Sequence, residues 1–163
     1  MARKTFFSFH YERDSWRAGQ VRNSGVTKGM EHAGFIDSVS WEEVKKKGEE
    51  AIKRWISDQL KGTSVTAVLI GAETANRDWV IHEIKESYSR GNGMMGIRIH
   101  NIKDQNQRTD SQGANPFDTL YIEKNGVKTY LSQLYPVYDW VINDGYTNLG
   151  KWIEEAFQKA NSK

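Results

Sequence analysis

The feature that most constrains the fold is a nearly continuous apolar run, Val-Thr-Ala-Val-Leu-Ile, at residues 65–70. A strand of this composition is typically covered on both faces, as parallel strands are. Segments with helical periodicity lie on either side of it, and strand-like and helix-like segments alternate over residues 4–100. This alternation predicts an α/β protein with a mainly parallel sheet and helices on both faces.

The bounds of these elements follow from the apolar periodicity and from the capping residues. The predicted strands of the first hundred residues are 4–9, 34–37, 65–70 and 94–100. The predicted helices are about 16–26, 41–60 with Ser40 as N-cap, and about 76–90. Gly91-Asn92-Gly93 is a strong signal for the end of the last of these helices.

The pattern changes after residue 100. Residues 101–115 are polar and lack periodicity, which predicts a mobile surface loop. Residues 121–123 and 127–131 flank an Asn-Gly turn and predict a hairpin. A short helical or strand-like element at 138–141 and a final helix at 149–160 complete the chain. We expect one domain over residues 1–163, with the hairpin and helix as a C-terminal extension from about 101.

Composition excludes several classes of site. The chain has no cysteine, so it can form neither a disulfide framework nor a thiolate metal site. Its four histidines show no paired metal-ligand spacing, and a net charge of +2 does not suggest nucleic acid. No apolar run approaches the ~20 residues of a spanning helix, and the N-terminus leaves no room for a signal peptide. We therefore expect a cytoplasmic protein that binds neither nucleic acid nor a membrane.

A polar turn and an amphipathic helix follow the apolar strand, at residues 74–84. Open α/β sheets place their ligand sites at such turns, beyond the carboxyl ends of the strands. Trp79 and Glu83 are four residues apart and share a helix face. A carboxylate beside an indole can bind a sugar or stabilise a developing positive charge, so Glu83 is the first candidate for a catalytic residue.

Four segments, in this order, resemble the Toll/interleukin-1 receptor (TIR) domain family. They are Phe6-Phe7-Ser8-Phe9-His10-Tyr11, Phe35-Ile36-Asp37-Ser38 with Trp41-Glu42, Val68-Leu69-Ile70-Gly71, and Asn76 to Ile84 with its Trp-x-x-x-Glu spacing. Matches at residues 21–23, 115–118, 137–141 and 144–146 are similar to the TIR-like branch of bacterial Thoeris antiphage systems. The resemblance implies a flavodoxin-like three-layer sandwich with strand order 2-1-3-4-5.

The same resemblance implies NAD⁺ chemistry, with NAD⁺ as a substrate and no cofactor. Glu83 matches the glutamate with which catalytic TIR domains break the bond between nicotinamide and ribose. The expected product is a cyclic ADP-ribose-type signal for a separate effector, and a phage-derived trigger and self-association are expected too. The residues implied in substrate binding are Ser8, Phe9, His10, Asp37, Ser38, Trp41, Asn76 and Trp79.

Each candidate also has an ordinary structural interpretation. Glu83 can be a surface carboxylate that pairs with a neighbouring cation, and Trp79 can simply pack under the next strand. Asn76 can be an N-cap, Trp41 can fasten its helix to the core, and the others can be strand-end or turn residues. The chain has no glycine-rich phosphate loop, so an ordinary dinucleotide or P-loop site is not indicated.

Three functions remain open from the sequence. The first is a TIR-like enzyme that cleaves or cyclises NAD⁺. The second is a non-catalytic TIR-like interaction module. The third is a hydrolase similar to the nucleoside deoxyribosyltransferases, which would accept nucleosides rather than dinucleotides.

Overall fold

The computed structural model describes residues 4–26, 30–36 and 38–162. The strands in these residues are β1 (Thr5–Ser8), β2 (His32–Ala33), β3 (Val65–Ile70), β4 (Gly93–Arg98), β5 (Tyr121–Lys124), β6 (Val127–Tyr130) and β7 (Val137–Asp139). The helices are α1 (Ser15–Val26), α2 (Ser38–Lys46), α3 (Glu49–Leu60), α4 (Asp78–Ser89), α5 (Leu131–Leu134) and α6 (Gly145–Ala160).

Five strands form one parallel sheet in the order β2-β1-β3-β4-β7, and β5 and β6 form a separate antiparallel hairpin. The register joins Ser8 to Val68, Val68 to Gly96, and Gly96 to Val137. The predicted order 2-1-3-4-5 is confirmed, because β7 supplies the fifth strand. Helices flank the sheet, as the flavodoxin-like fold requires.

The alternating side chains of β3 separate the two faces of the sheet. Val68 and Ile70 join an apolar cluster to which α4 contributes. Ala67 and Leu69 join the larger cluster, to which α1 and α6 contribute. All six residues of β3 are buried, which confirms the prediction of a strand covered on both faces.

Three predictions in the first half of the chain are wrong. The second strand is His32–Ala33 rather than residues 34–37, because the backbone turns at Gly34, whose φ is 90°. The helix predicted at 41–60 is two helices, divided at Gly48, where φ is 97°. Ser40 lies inside α2 and is not its N-cap, since that helix begins at Ser38. Both glycines adopt left-handed backbone conformations that other residues rarely accept.

The C-terminal part follows the prediction more closely. The hairpin is present, and α6 begins at Gly145 rather than Leu149 because the Asp144 carboxylate accepts a hydrogen bond from the backbone N–H of Thr147. Residues 101–115 are irregular, as expected, but they are fastened to α1. The Arg17 guanidinium donates to the carbonyls of residues 102 and 108 at 2.6 and 2.9 Å.

Two glycines of the fold give a matched test of its packing. A Cβ at Gly93, the first residue of β4, would lie 2.2 Å from the carbonyl oxygen of Ala156, whereas a Cβ at Gly150 meets no atom within 4 Å. We expect Gly93→Ala to lower the free energy of unfolding by about 1–3 kcal/mol, because β4 must move away from α6. Gly150→Ala should raise it by about 0.5–1 kcal/mol through helix propensity. Urea unfolding measures both changes. An unchanged free energy of unfolding in Gly93→Ala would contradict the close approach of β4 and α6.

Candidate active site

The centre of the candidate site is the carboxyl group of Glu83, which α4 carries to the carboxyl end of β1. The hydroxyl of Ser8 donates to Oε1 at 2.6 Å, and the hydroxyl of Tyr11 donates to Oε2. Glu83 and Ser8 are both 0% exposed, and Tyr11 is 3% exposed. Both carboxyl oxygens therefore have partners inside the protein, and neither reaches solvent.

Burial dominates the electrostatics of this group. Desolvation raises the pKa of Glu83 to about 8, against the opposing effect of the hydrogen bonds from Ser8 and Tyr11. Desolvation and the neighbouring carboxyl also raise the pKa of Tyr11 well above its ordinary value. At neutral pH most Glu83 is therefore protonated in this closed arrangement.

The ring of Tyr11 is surrounded by three aromatic side chains, which we call the aromatic cage: Phe9, Trp41 and Trp55. Their ring centroids lie 4.6, 4.7 and 5.5 Å from that of Tyr11. Phe9 follows β1, Trp41 is in α2 and Trp55 is in α3, so three separate elements build the cage. The indole Nε1 of Trp41 is buried and has no hydrogen-bond partner among the described residues.

A second buried carboxyl, that of Asp14, lies beside the end of β3. Asp14 has a side chain 0% exposed, and neither of its oxygens accepts a hydrogen bond from the described residues. Its nearest charge is the Arg13 guanidinium at 3.6 Å, and a Cβ at Gly71, just after β3, would lie 2.3 Å from its Oδ2. Burial raises the pKa of Asp14 to about 6. A buried titratable group between β1 and β3, the switch point of this fold, is a candidate functional group.

Charged side chains cover the Asp14 carboxyl. Arg13 pairs with Asp110 at 2.6 Å and with Glu73 at 3.2 Å, and thus joins the segments that follow β4 and β3. His10 is 7% exposed, and its Nδ1 accepts a hydrogen bond from the backbone N–H of Arg13. Burial, aided by the charge of Arg77, lowers the pKa of His10, which favours the neutral imidazole.

Neither of two cavities in the described residues is lined by Glu83. One of about 900 Å³ lies at the amino-terminal end of β4, between the hairpin and α6. The other, of about 710 Å³, lies between α1, residues 101–104 and the residues that follow β7. Access to Glu83 therefore requires that the side chains covering it move. In the described part of the chain, no group of three or more metal-ligating side chains occurs, and no helix has the length and apolarity to cross a membrane.

The structure brings several predicted site residues together and separates others. Ser8, Phe9 and Trp41 meet around the Tyr11–Glu83 pair. Trp79 is half-buried and packs on the larger apolar cluster, with its ring centroid 5.6 Å from that of His82. Asn76 is exposed in a short 3₁₀ turn, and its prediction as N-cap is wrong because Arg77 holds that position of α4.

Two further predictions concern the start of α2. Asp37 lies outside the described residues, so its predicted role stays a prediction. Ser38 begins α2, but its side chain is likewise outside the described part.

Two residues and one contact of the site were not predicted from the sequence. Asp14 was visible only as a helix cap, Trp55 was visible only as one of several apolar residues on its helix, and the contact between Tyr11 and Glu83 had no signal. Their partners lie far along the chain, since Tyr11 and Glu83 are 72 residues apart. Local periodicity carries no signal for such contacts.

Fold and site together define a class. A parallel sheet of order β2-β1-β3-β4-β7, with a carboxyl on the helix after β3 turned toward the end of β1, is the arrangement of TIR-like domains. Residues 6–104 match the family described as "Thoeris protein ThsB, TIR-like domain". The chain is also 37% identical, over 191 aligned positions, to the "Putative cyclic ADP-D-ribose synthase ThsB1" of Bacillus cereus (strain MSX-D12). That alignment covers 94% of this chain and 100% of the relative. The chain thus belongs to the Thoeris ThsB TIR-like family.

The buried carboxyl makes stability depend on pH in a predictable direction. Between pH 4.5 and 8 the folded state holds a proton on Glu83 that the unfolded chain releases. Rising pH therefore favours unfolding over this window, by about 1.4 kcal/mol for each pH unit. We expect Glu83→Gln to remove this contribution, so that the variant gains stability relative to the natural chain as pH rises from 4.5 to 8.

Urea unfolding at a series of pH values measures this difference. Glu86→Gln is the matched control, because it changes the same residue type on the same helix where the side chain is 42% exposed. A constant difference between Glu83→Gln and the natural chain over this window would contradict the burial of an ionisable Glu83.

Proposed function

We propose that this protein breaks the bond between nicotinamide and ribose in NAD⁺ and closes the remaining ADP-ribose into a cyclic signal. The observation that carries this proposal is the position of Glu83, held by Ser8 and Tyr11 at the strand end where α/β folds bind ligands. Membership of the Thoeris ThsB family supports it, as does the name of the related cyclic ADP-D-ribose synthase.

The chemistry requires one carboxylate. Nicotinamide leaves with the electron pair of the C–N bond, and positive charge develops on the ribose as an oxocarbenium-like state. An ionised Glu83 beside the ribose stabilises that charge. The leaving group departs as a neutral pyridine, so no general acid has to protonate it.

Ring closure requires that an internal nucleophile reach the ribose before water does. A buried carboxyl next to an aromatic cage provides surroundings from which water is excluded. The cyclic product then acts on a separate effector protein. We propose that a phage-derived trigger opens the site and that self-association accompanies activity.

One observation favours a second function, that of a non-catalytic TIR-like interaction module. Glu83 is wholly enclosed with both oxygens hydrogen-bonded, as a structural carboxyl would be. In that case the Glu83 contacts would serve only to fix α4 on the sheet.

Substitution of Glu83 separates the two functions. We expect Glu83→Gln to lower nicotinamide release from NAD⁺ by about 100-fold or more, because the isosteric amide cannot carry the stabilising charge. Glu86→Gln should leave release unchanged. Purified protein, alone and with extracts of phage-infected cells, is incubated with NAD⁺ or with nucleosides. Mass spectrometry then identifies the substrate and the products. Release that survives in Glu83→Gln would remove this residue from the mechanism, and absence of turnover in the natural chain under every condition would support the interaction module.

The pH profile tests which form of Glu83 acts. Because the reactive form is the carboxylate and the closed site of the free protein holds its pKa near 8, we expect kcat/KM for nicotinamide release to rise with pH up to about 8 and then to level off. Initial rates between pH 6 and 9, with folding checked at each pH, measure the profile. Release that falls as pH rises would indicate a protonated Glu83 acting as an acid instead.

A further inference from the structure

The side chain of Tyr11 is placed as a ligand would be. Its ring fills the aromatic cage of Phe9, Trp41 and Trp55, and its C–O bond is directed at the Glu83 carboxyl. In the described residues, this bond to Glu83 is the only hydrogen bond of the phenol. A single planar ring thus lies between aromatic walls and the group to which we assign the chemistry.

The aromatic cage has two binding features, its attraction for cations and the indole N–H of Trp41, that the phenol of Tyr11 does not engage. Two indoles and a phenyl ring beside a carboxyl attract a cation, since aromatic faces and carboxylates both favour positive charge. The phenol is neutral. The indole N–H of Trp41 is also left without an acceptor among the described residues, although burying a donor without a partner is unfavourable. A planar cation that carries a carbonyl substituent would suit both features better than a phenol does.

We propose that Tyr11 occupies, in this closed arrangement, the place that the nicotinamide ring of the substrate takes for reaction. Phe9, Trp41 and Trp55 are then the walls of the nicotinamide site, and the indole N–H of Trp41 donates to the carboxamide oxygen. This inference rests on the proposed function, because it specifies how the same site recognises its leaving group.

Replacement of the Tyr11 ring by the nicotinamide ring also changes the protonation state of Glu83. Tyr11 lies in the turn of residues 11–13 that joins β1 to α1, outside regular secondary structure, so its side chain can rotate out without breaking the sheet. A pyridinium in its place favours the carboxylate, and the proton of Glu83 passes to solvent. After bond cleavage the ring is neutral nicotinamide, so it loses the attraction of the carboxylate and leaves.

The inference is tested by ligand binding that needs no turnover. We expect Tyr11→Ala to bind 1-methylnicotinamide, a non-reactive pyridinium with a carboxamide, at least tenfold more tightly than the natural chain does, because no ring has to be displaced. The same variant should bind 1-methylnicotinamide at least tenfold more tightly than 1-methylpyridinium, which lacks the carboxamide; tenfold corresponds to about 1.4 kcal/mol, a hydrogen bond's worth. Addition of Trp41→Phe, which keeps a ring but removes the N–H, should abolish that preference.

Calorimetry measures the affinities, and melting scans show which variants are folded. Tyr11→Val replaces Tyr11→Ala if the latter melts below the assay temperature, with the same expected results. Tyr135→Ala is the control, because it removes a half-buried ring that lies 5.5 Å from Phe117 in the second apolar cluster, and it should not favour cations.

Two results would overturn the inference. One is that Tyr11→Ala and Tyr11→Val bind the pyridinium no better than the natural chain or the Tyr135→Ala control. The other is that the carboxamide preference persists in the Trp41→Phe background. The binding pattern together with no NAD⁺ turnover would count against the proposed function alone, whereas turnover without the binding pattern would count against this inference alone.

Discussion

The rest of the site depends on the burial of one carboxyl group, that of Glu83, between α4 and the end of β1. Burial of a carboxyl costs several kcal/mol unless it is hydrogen-bonded, so the donors Ser8 and Tyr11 offset part of this cost for Glu83. One turn further along α4, Ser87 bonds the Thr66 hydroxyl of β3 at 2.7 Å. Two polar contacts thus fix the position of α4 on β1 and β3, where apolar packing alone tolerates sliding. The same contacts direct the Glu83 carboxyl toward the end of β1.

A second consequence is that burial shifts the ionisation of the titratable groups in the closed site. Burial raises the pKa of both Glu83 and Asp14, and His10 is held neutral by burial and by Arg77. At pH 7 Glu83 is mostly protonated, whereas Asp14 is mostly ionised and lies 3.6 Å from the Arg13 guanidinium. Buried acids with raised pKa values lower the stability of the folded state at neutral pH, a cost that proteins commonly bear where function requires it.

The sequence predicted the elements whose signals are local. Residues 65–70 were recognisable as a buried strand from their composition, α6 from its helical periodicity, and the hairpin from its Asn-Gly turn. The division between α2 and α3 was missed because apolar periodicity continues across Gly48, whose positive φ depends on how both helices pack. Glu83 was a candidate both from its place on the helix after the apolar strand and from the family pattern, but its hydrogen-bond partners were not predicted. Contacts between residues 72 and 75 positions apart leave no trace in periodicity.

The closed state withholds activity in two ways that share one cause. The Tyr11 ring keeps substrate from the carboxyl, and the dry surroundings that this ring completes keep the carboxyl protonated. A pKa of about 8 leaves only about a tenth of Glu83 ionised at pH 7, a free-energy penalty of about 1.4 kcal/mol. That penalty alone would be a weak control, since it slows a reaction only tenfold. Exclusion of the nicotinamide ring by Tyr11 is the stronger control. Movement of this one side chain removes both the steric block and the ionisation penalty, because it admits the cation that ionises Glu83. A trigger therefore needs to act only on the short turn between β1 and α1.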